Sequence, residues 1–207
     1  MILAAGRSER LGNVDKLWVT LNDKPLIQWS IEAFDSAAEI SAITLVTRTD
    51  RLDQLSDLVS KLNLTKPVSI VLGGATRMES VSNACDAIDT EYIAVHDGAR
   101  PCITPALINA VCTAARGNDC ACLSLPVVET LVRTRDHRET ERVDRANLTA
   151  LQTPQVIRLS CWKAGKSIAN LRSVDVTDDT HMATLLDKTV VHVAGDRNNI
   201  KVTYAAD

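Results

Sequence analysis

Short apolar runs alternate with longer stretches of helical periodicity through the first 125 residues. Runs of four to six apolar residues between polar turns predict strands at Ile2–Ala5, Ala42–Thr47, Val68–Leu72, Tyr92–Val95 and Cys120–Leu125. Apolar positions recurring at a period near 3.6 predict helices at Pro25–Phe34, Arg51–Leu62, Arg77–Ile88 and Pro105–Arg116. Pro25 and Pro105 suit a first helical turn, where the missing N–H costs nothing. Strands separated in this way by helices indicate parallel βαβ units in a doubly wound α/β sheet, whose ligands bind beyond the carboxyl ends of the strands.

The rhythm breaks after Pro126. Residues 127–151 hold no good amphipathic helix and read as a charged hairpin arm, with extended runs Glu129–Arg135 and Glu141–Ala146 joined by Asp136-His137-Arg138. So many charges exclude the arm from the core, leaving a solvated flap or a contact with a partner subunit. Two helices, Leu159–Leu171 and Asp178–Leu186, and two strands, Val190–Val193 and Ile200–Val202, complete the reading. The expectation is one domain over residues 1–207 with an inserted arm.

Composition narrows the classes. A net charge of −3 over 207 residues argues against a nucleic-acid binder, and no apolar run approaches a membrane span. The six cysteines have neither disulfide-framework nor paired zinc spacing, so reduced thiols in a cytoplasmic setting are expected. Any anion site must be a local cationic cluster on an acidic background.

The first candidate cluster follows the first strand: Ala4-Ala5-Gly6-Arg7-Ser8-Glu9-Arg10, with Lys16 beyond. A strand ending in a tight turn leaves N–H groups unpaired, and these with Arg7, Arg10 and Lys16 suit polyphosphate. A solubilising surface loop is the plain alternative. Neither common phosphate loop is present, since Ser8 stands where the second glycine of G-x-G-x-x-G belongs. The second cluster is Gly73-Gly74-Ala75-Thr76-Arg77-Met78-Glu79-Ser80. A capping box accounts for Thr76 and Glu79 but not for the double glycine or for Arg77 and Ser80, so plain capping and a nucleotide-binding turn stand side by side. In the third, a strand ends in His96-Asp97 before Gly98-Ala99-Arg100-Pro101. A carboxylate there, beside phosphates, commonly holds Mg²⁺, whereas His96 reads as structural. Arg145 meets an anionic substrate or pairs with a glutamate across the hairpin, and Lys201, among apolar neighbours, needs solvent or an anion. Thr177-Asp178-Asp179-Thr180 reads as a helix start. No serine or cysteine nucleophile has a convincing partner motif, which fits chemistry whose nucleophile is a phosphate monoester needing no general base.

Together the segments AAGRSERL with Lys16, GGATRMESV, VHDGARP, PVVET, VDRANL, LQTPQ, VTDDT and NIKVT resemble, in order and over almost the whole chain, the 2-C-methyl-D-erythritol 4-phosphate cytidylyltransferase family of the non-mevalonate isoprenoid pathway. The resemblance implies a nucleotide-diphospho-sugar-transferase-like α/β fold, a β-arm embracing a second subunit in a homodimer, and CMP transfer from CTP with Mg²⁺. It implies that Arg10 and Lys16 stabilise the transition state, and that Ala4, Ala5, Gly6, Gly73, Arg77 and Ser80 line the CTP pocket. It puts Asp97 near Mg²⁺ and the triphosphate, Asp179 near substrate or metal, and Lys201 and the partner's Arg145 on the polyol phosphate. Two other readings stand beside it: ribitol 5-phosphate as acceptor, and a non-catalytic nucleotide-binding domain. Asp15-Lys16-Leu17 stands where the family has Pro-Lys-Gln.

Overall fold

The computed structural model describes residues 1–6 and 15–207. Its centre is a seven-stranded sheet assembled from β1 (Ile2–Leu3), β4 (Ile43–Thr47), β5 (Val68–Leu72), β6 (Tyr92–Asp97), β7 (Cys120–Pro126), β10 (Thr149–Arg158) and β11 (Val190–Ala194). The spatial order is β11-β7-β10-β6-β1-β4-β5. Every neighbouring pair is parallel except the two made by β10, which runs antiparallel to both β6 and β7. Between β1 and β4 the chain forms a 3-10 turn, Lys16–Trp18, and a two-stranded ribbon of β2 (Thr20–Leu21) and β3 (Lys24–Pro25).

Alternation along the strands explains the two layers of helices. Ile2, Ile43, Leu45 and Val156 face one core with α1 (Leu26–Ser36), α2 (Leu52–Lys61) and α4 (Pro105–Ala115). Leu3, Val46, Val95 and Ile157 face the other, with α3 (Arg77–Asp86), α5 (Leu159–Arg172) and α6 (Thr180–Thr184). β4 is buried at all five positions, as a central parallel strand must be. Thr76 caps α3 in a complete capping box with Glu79, and Thr104 caps α4 ahead of Pro105.

Four expectations are corrected. Strand β10 had no counterpart in the sequence reading, because Thr153-Pro154 in its middle looks like a break. The proline is accommodated where the ladder with β7 shifts register between Leu151 and Gln155. The hairpin is tighter than expected: β8 (Leu131–Arg135) and β9 (Arg138–Val143) meet at a two-residue turn, Asp136 and His137, both at positive φ. Residues 149–151 already pair with β7 in the main sheet. Ile200–Val202 is not a strand, since Val202 N–H reaches the Ala99 carbonyl at 2.9 Å outside any ladder. The helix expected over Asp178–Leu186 is regular only from Thr180 to Thr184.

Among the described residues no helix is long and apolar enough to cross a membrane. All six cysteines are free thiols, and burial pushes those of Cys85, Cys112, Cys120 and Cys122 well up from their ordinary pKa.

Candidate active site

The sheet reverses its winding at β1. Strands β4 and β5 extend to one side, and the chain returns to place β6 on the other. A crevice opens beyond the carboxyl ends of strands at such a switch point. Here Leu3 and Asp97 are register partners, so the end of β1 and the end of β6 face the same opening. A cleft of about 1300 Å³ lies there, and among its described lining residues are Ala5, Gly6, Lys16, Arg77, Ser80, Asp97 and Lys201. Five cationic side chains, Lys16, Arg48, Arg51, Arg77 and Lys201, face three acidic ones, Asp15, Asp50 and Asp97. This is the local excess of positive charge that the acidic composition required.

Asp97 is the electrostatic hub. Lys201 Nζ lies 2.8 Å from its Oδ2, Arg77 Nε lies 3.8 Å from Oδ1, and Arg100 Nε lies 3.8 Å from Oδ2. Burial alone would raise its pKa, but Lys201 and Arg77 outweigh that and hold the carboxyl below the usual range. The Asp97 N–H donates to Thr153 Oγ1 at 3.0 Å, and that hydroxyl lies 3.1 Å from His96 Nδ1. His96 Nε2 lies 3.4 Å from the Arg100 carbonyl. His96 is fully buried against Phe34, and burial pushes its pKa down to about 3. A neutral imidazole protonated on Nε2 satisfies the whole chain, so His96 shapes the end of β6 rather than touching the cleft.

Arg77, at the first position of α3, is held from below. Its Nη2 lies 2.7 Å from Asp179 Oδ2, whose side chain is 2% exposed. The other carboxylate oxygen accepts from Trp162 Nε1 at 3.0 Å, and Asp179 N–H donates to Gln155 Oε1 at 2.7 Å. Asp179 occupies the N-cap position of α6 without a side-chain cap bond, and the Thr180 N–H goes to Asp178 Oδ1 at 2.9 Å instead. Asp179, expected beside substrate or metal, is therefore buried beneath Arg77 and does not line the cleft.

The C-terminal segment forms the opposite wall. Asn199, fully buried, donates to the Thr153 carbonyl at 3.0 Å and to Gln152 Oε1 at 3.3 Å, while Arg100 Nη1 donates to the Asn199 carbonyl at 2.7 Å. These bonds pin residues 199–203 over the sheet. Lys201 then reaches Asp97, and the Val202 carbonyl accepts from Lys16 Nζ at 2.8 Å.

The remaining predicted residues fall in different places. Gly73 lies just behind the lining, where a Cβ would come within 2.7 Å of Ala5 Cβ and 2.8 Å of Ser80 Oγ. Only glycine lets those two elements meet. Ala4 is buried behind the surface of the cleft. Arg10 lies outside the described residues. Arg145 is not brought to the cleft of its own chain: its guanidinium donates to the Val128 carbonyl at the base of the arm. The expected cross-hairpin glutamate pair belongs to Arg133 and Glu141 instead, at 3.0 Å.

Sequence reasoning missed Arg48 and Arg51 on the cleft wall and Trp162 beneath it, gave Asp15 no role, and singled out Gln152, Thr153, Gln155 and Asn199 by their segments alone, without the bonds they make. Arg48 and Arg51 begin the turn after a predicted strand at the binding rim, which was the available signal.

Of the cleft's described carboxylates, Asp15 and Asp50 are engaged by Arg48 and Arg51, which leaves Asp97 as the candidate magnesium ligand, and among the described residues no group of three or more acidic, histidine or cysteine side chains could hold the ion alone. That donor set fits Mg²⁺ only where phosphate oxygens complete the shell, which is how Mg²⁺ commonly binds beside nucleotides.

The model of the family described as 2-C-methyl-D-erythritol 4-phosphate cytidylyltransferase matches residues 1–207. A relative of that name from Clostridium tetani is 32% identical over 100% of this chain and 85% of its own length. Another from Nostoc sp. is 35% identical over 100% of this chain and 92% of its own. Among solved structures, 4-diphosphocytidyl-2C-methyl-D-erythritol synthase from Anaerococcus prevotii superposes with a TM-score of 0.86 at 25% identity, covering 99% of this chain and 91% of that one. The Thermus thermophilus 2-C-methyl-D-erythritol 4-phosphate cytidylyltransferase gives 0.79 at 25% identity, covering 99% and 93%. A doubly wound sheet with a cationic cleft at its switch point, and a match along the entire sequence, place this chain in the 2-C-methyl-D-erythritol 4-phosphate cytidylyltransferase family.

Proposed function

We propose that the protein transfers a cytidylyl group from CTP to 2-C-methyl-D-erythritol 4-phosphate and releases pyrophosphate. The observation that carries this reading is the convergence of Lys16, Arg77 and Lys201 on one cleft at the rim where β1 and β6 end. Two polyanions must be held together for this reaction, and the cleft has the charge to hold them. The acceptor phosphate, largely dianionic near neutral pH because its second pKa is about 6, needs no general base. One of its oxygens forms a bond to the α-phosphorus of CTP. The bond from that phosphorus to the bridging α–β oxygen breaks, and its electron pair leaves with pyrophosphate.

Each residue's part follows from its place. Lys16, with Arg10 from the segment beside it, neutralises charge that grows on the α-phosphate and the leaving group. Arg77, fixed by Asp179, and Ser80 line the nucleotide side together with Ala5 and Gly6, and Gly73 behind them leaves room for Ala5 and Ser80 to meet. Lys201, next to Asp97, receives the acceptor phosphate. Asp97 is the residue that would hold Mg²⁺ against the triphosphate, where the ion would supply further charge neutralisation.

The chain works as a single catalytic domain whose arm, residues 127–148, docks on a second subunit in a homodimer. Support comes from the arm's exposed Val128 and Val132 and from an Arg145 directed away from its own cleft. In the dimer Arg145 reaches the partner's acceptor phosphate. Six free thiols support a reducing, cytoplasmic setting.

The test is pyrophosphate release with CTP, UTP, ATP and GTP against methylerythritol phosphate and ribitol 5-phosphate. Turnover with CTP and methylerythritol phosphate, falling about 10²–10³-fold in Lys16→Ala, is expected. Turnover confined to ribitol 5-phosphate, or CTP binding without pyrophosphate release under any acceptor, would overturn the proposal. Mixed dimers of Arg145→Ala and Lys16→Ala subunits should regain activity if the site is shared.

A further inference from the structure

The wall formed by the β4–α2 turn carries a cluster that the reaction scheme does not use. Arg48 makes two contacts that are far apart in sequence. Its Nη1 donates to the Gly6 carbonyl at 3.0 Å, and its Nη2 lies 2.8 Å from Asp15 Oδ2. A single guanidinium thus joins Gly6, three residues past β1, to the residue immediately before Lys16. Arg51 Nε adds a second contact to the same Asp15 oxygen at 3.1 Å. The other oxygen, Asp15 Oδ1, accepts from Leu17 N at 3.3 Å and so caps the 3-10 turn that contains Lys16.

The geometry is that of a splint. Asp15 is only 9% exposed and Arg48 20%, so water competes weakly for either. A planar guanidinium on two acceptors fixes both direction and distance, which a flexible ammonium would not. The cap fixes the first residue of the turn, the arginines fix the cap, and the lysine head is aimed across the cleft to the Val202 carbonyl. A proline at position 15, as in the pattern Pro-Lys-Gln, could accept none of these bonds through its side chain, so the splint belongs to the Asp15 form of the motif. The two acids at the cluster, Asp15 and Asp50, neutralise Arg48 and Arg51. The arginines are therefore spent on structure rather than offered to phosphate.

We infer that Arg48 and Asp15 are a pair of positioning residues that act through Lys16 to set the rate of nucleotidyl transfer. The inference rests on Lys16 facing the triphosphate. Misplacing a charged group by about 1 Å costs up to about 10²-fold in rate, so loss of the splint with the lysine still present should cost about tenfold. The loss should fall on kcat and on kcat/KM for CTP, and leave KM for the acceptor unchanged.

The experiment measures steady-state kinetics for Arg48→Gln and Asp15→Asn, each in the wild-type chain and in a Lys16→Ala background, with urea midpoints to confirm folding. In the wild-type chain each is expected to lower kcat/KM for CTP about tenfold. In the Lys16→Ala background each is expected to change it by less than about twofold, because the group they position is gone. Should Arg48→Gln unfold, Asp15→Asn carries the same comparison from the other side of the pair. A tenfold loss that persists in the Lys16→Ala background, or a loss of less than twofold in the wild-type chain with Lys16→Ala impaired, overturns this inference alone. Near-normal turnover by Lys16→Ala overturns both it and the reading on which it rests.

Discussion

Replacing Asp179 by asparagine is the sharpest probe of how the cleft is held. The aspartate serves two donors at once, accepting from Arg77 Nη2 at 2.7 Å through one oxygen and from Trp162 Nε1 at 3.0 Å through the other. Asparagine has nearly the same shape but one acceptor oxygen, and its NH₂ must then face an N–H donor whichever way it turns. The change also removes the negative charge that faces the Arg77 guanidinium. Breaking a fully buried pair from one side costs about 3–5 kcal/mol. The Arg77 side chain is 30% exposed, and Asp97 remains 3.8 Å away to share its charge. Solvent screening therefore brings the expected loss to about 2–3 kcal/mol. With a urea slope of about 2 kcal/mol/M, the denaturation midpoint should fall by about 1–1.5 M. Arg77, no longer aimed, should also raise KM for CTP. A Trp162→Phe partner variant isolates the cause. It removes the second donor, so asparagine can turn its oxygen to Arg77, and the double variant should lose less than the sum of the singles. A midpoint shift below about 0.3 M with unchanged KM for CTP, or strict additivity with Trp162→Phe, would refute the argument.

Three further outcomes follow from the same structure. Burial drives the His96 pKa down from 6.5 to about 3, so the unfolded chain takes up the proton first. Stability is then complete above pH 6.5 and falls by up to about 1.4 kcal/mol per unit as pH drops toward 3, a slope that His96→Gln should flatten between pH 6.5 and 5 in urea titrations. Gly165→Ala places a Cβ 2.4 Å from the Met182 carbonyl oxygen, so the contact of α5 with α6 should loosen by about 1–3 kcal/mol in thermal unfolding, while KM for the acceptor stays fixed. Thr76→Ala deletes the hydroxyl that accepts from Glu79 N at 3.1 Å, and should cost about 1 kcal/mol in a urea midpoint.

Much of the architecture is legible in the sequence because it depends on local pattern. The parallel strands and their helices announce themselves by apolar runs and 3.6 periodicity, and the capping box at Thr76 by spacing alone. Strand β10 is different. Its place between β6 and β7 comes from tertiary pairing, and Pro154 hides it by imitating a boundary. The site follows the same division. Lys16, Arg77 and Asp97 stand at turns after strands, where phosphate chemistry is expected, and the structure lines one cleft with them. Asp179 was read as a helix start with a ligand role in reserve, and its actual work is invisible locally because Arg77 and Trp162 are distant in sequence. Gln152, Gln155 and Asn199 are uncharged amides with no motif chemistry, and their value lies only in the bonds that folding gives them. Arg48 and Asp15 fall into this group as well, since a guanidinium joining residues 6 and 15 leaves no trace in either neighbourhood.

The arm's returning chain is β10 itself, which carries Gln152, Thr153 and Gln155 into the floor of the cleft. An engineer has little freedom here. New chain ends, peptide tags or inserted domains belong at the Asp136-His137 tip, where the hairpin can absorb them. A single residue added after Leu151 would exchange the inward and outward faces of the strand. Gln155 would turn away from the Asp179 N–H and Thr153 from the Asp97 N–H.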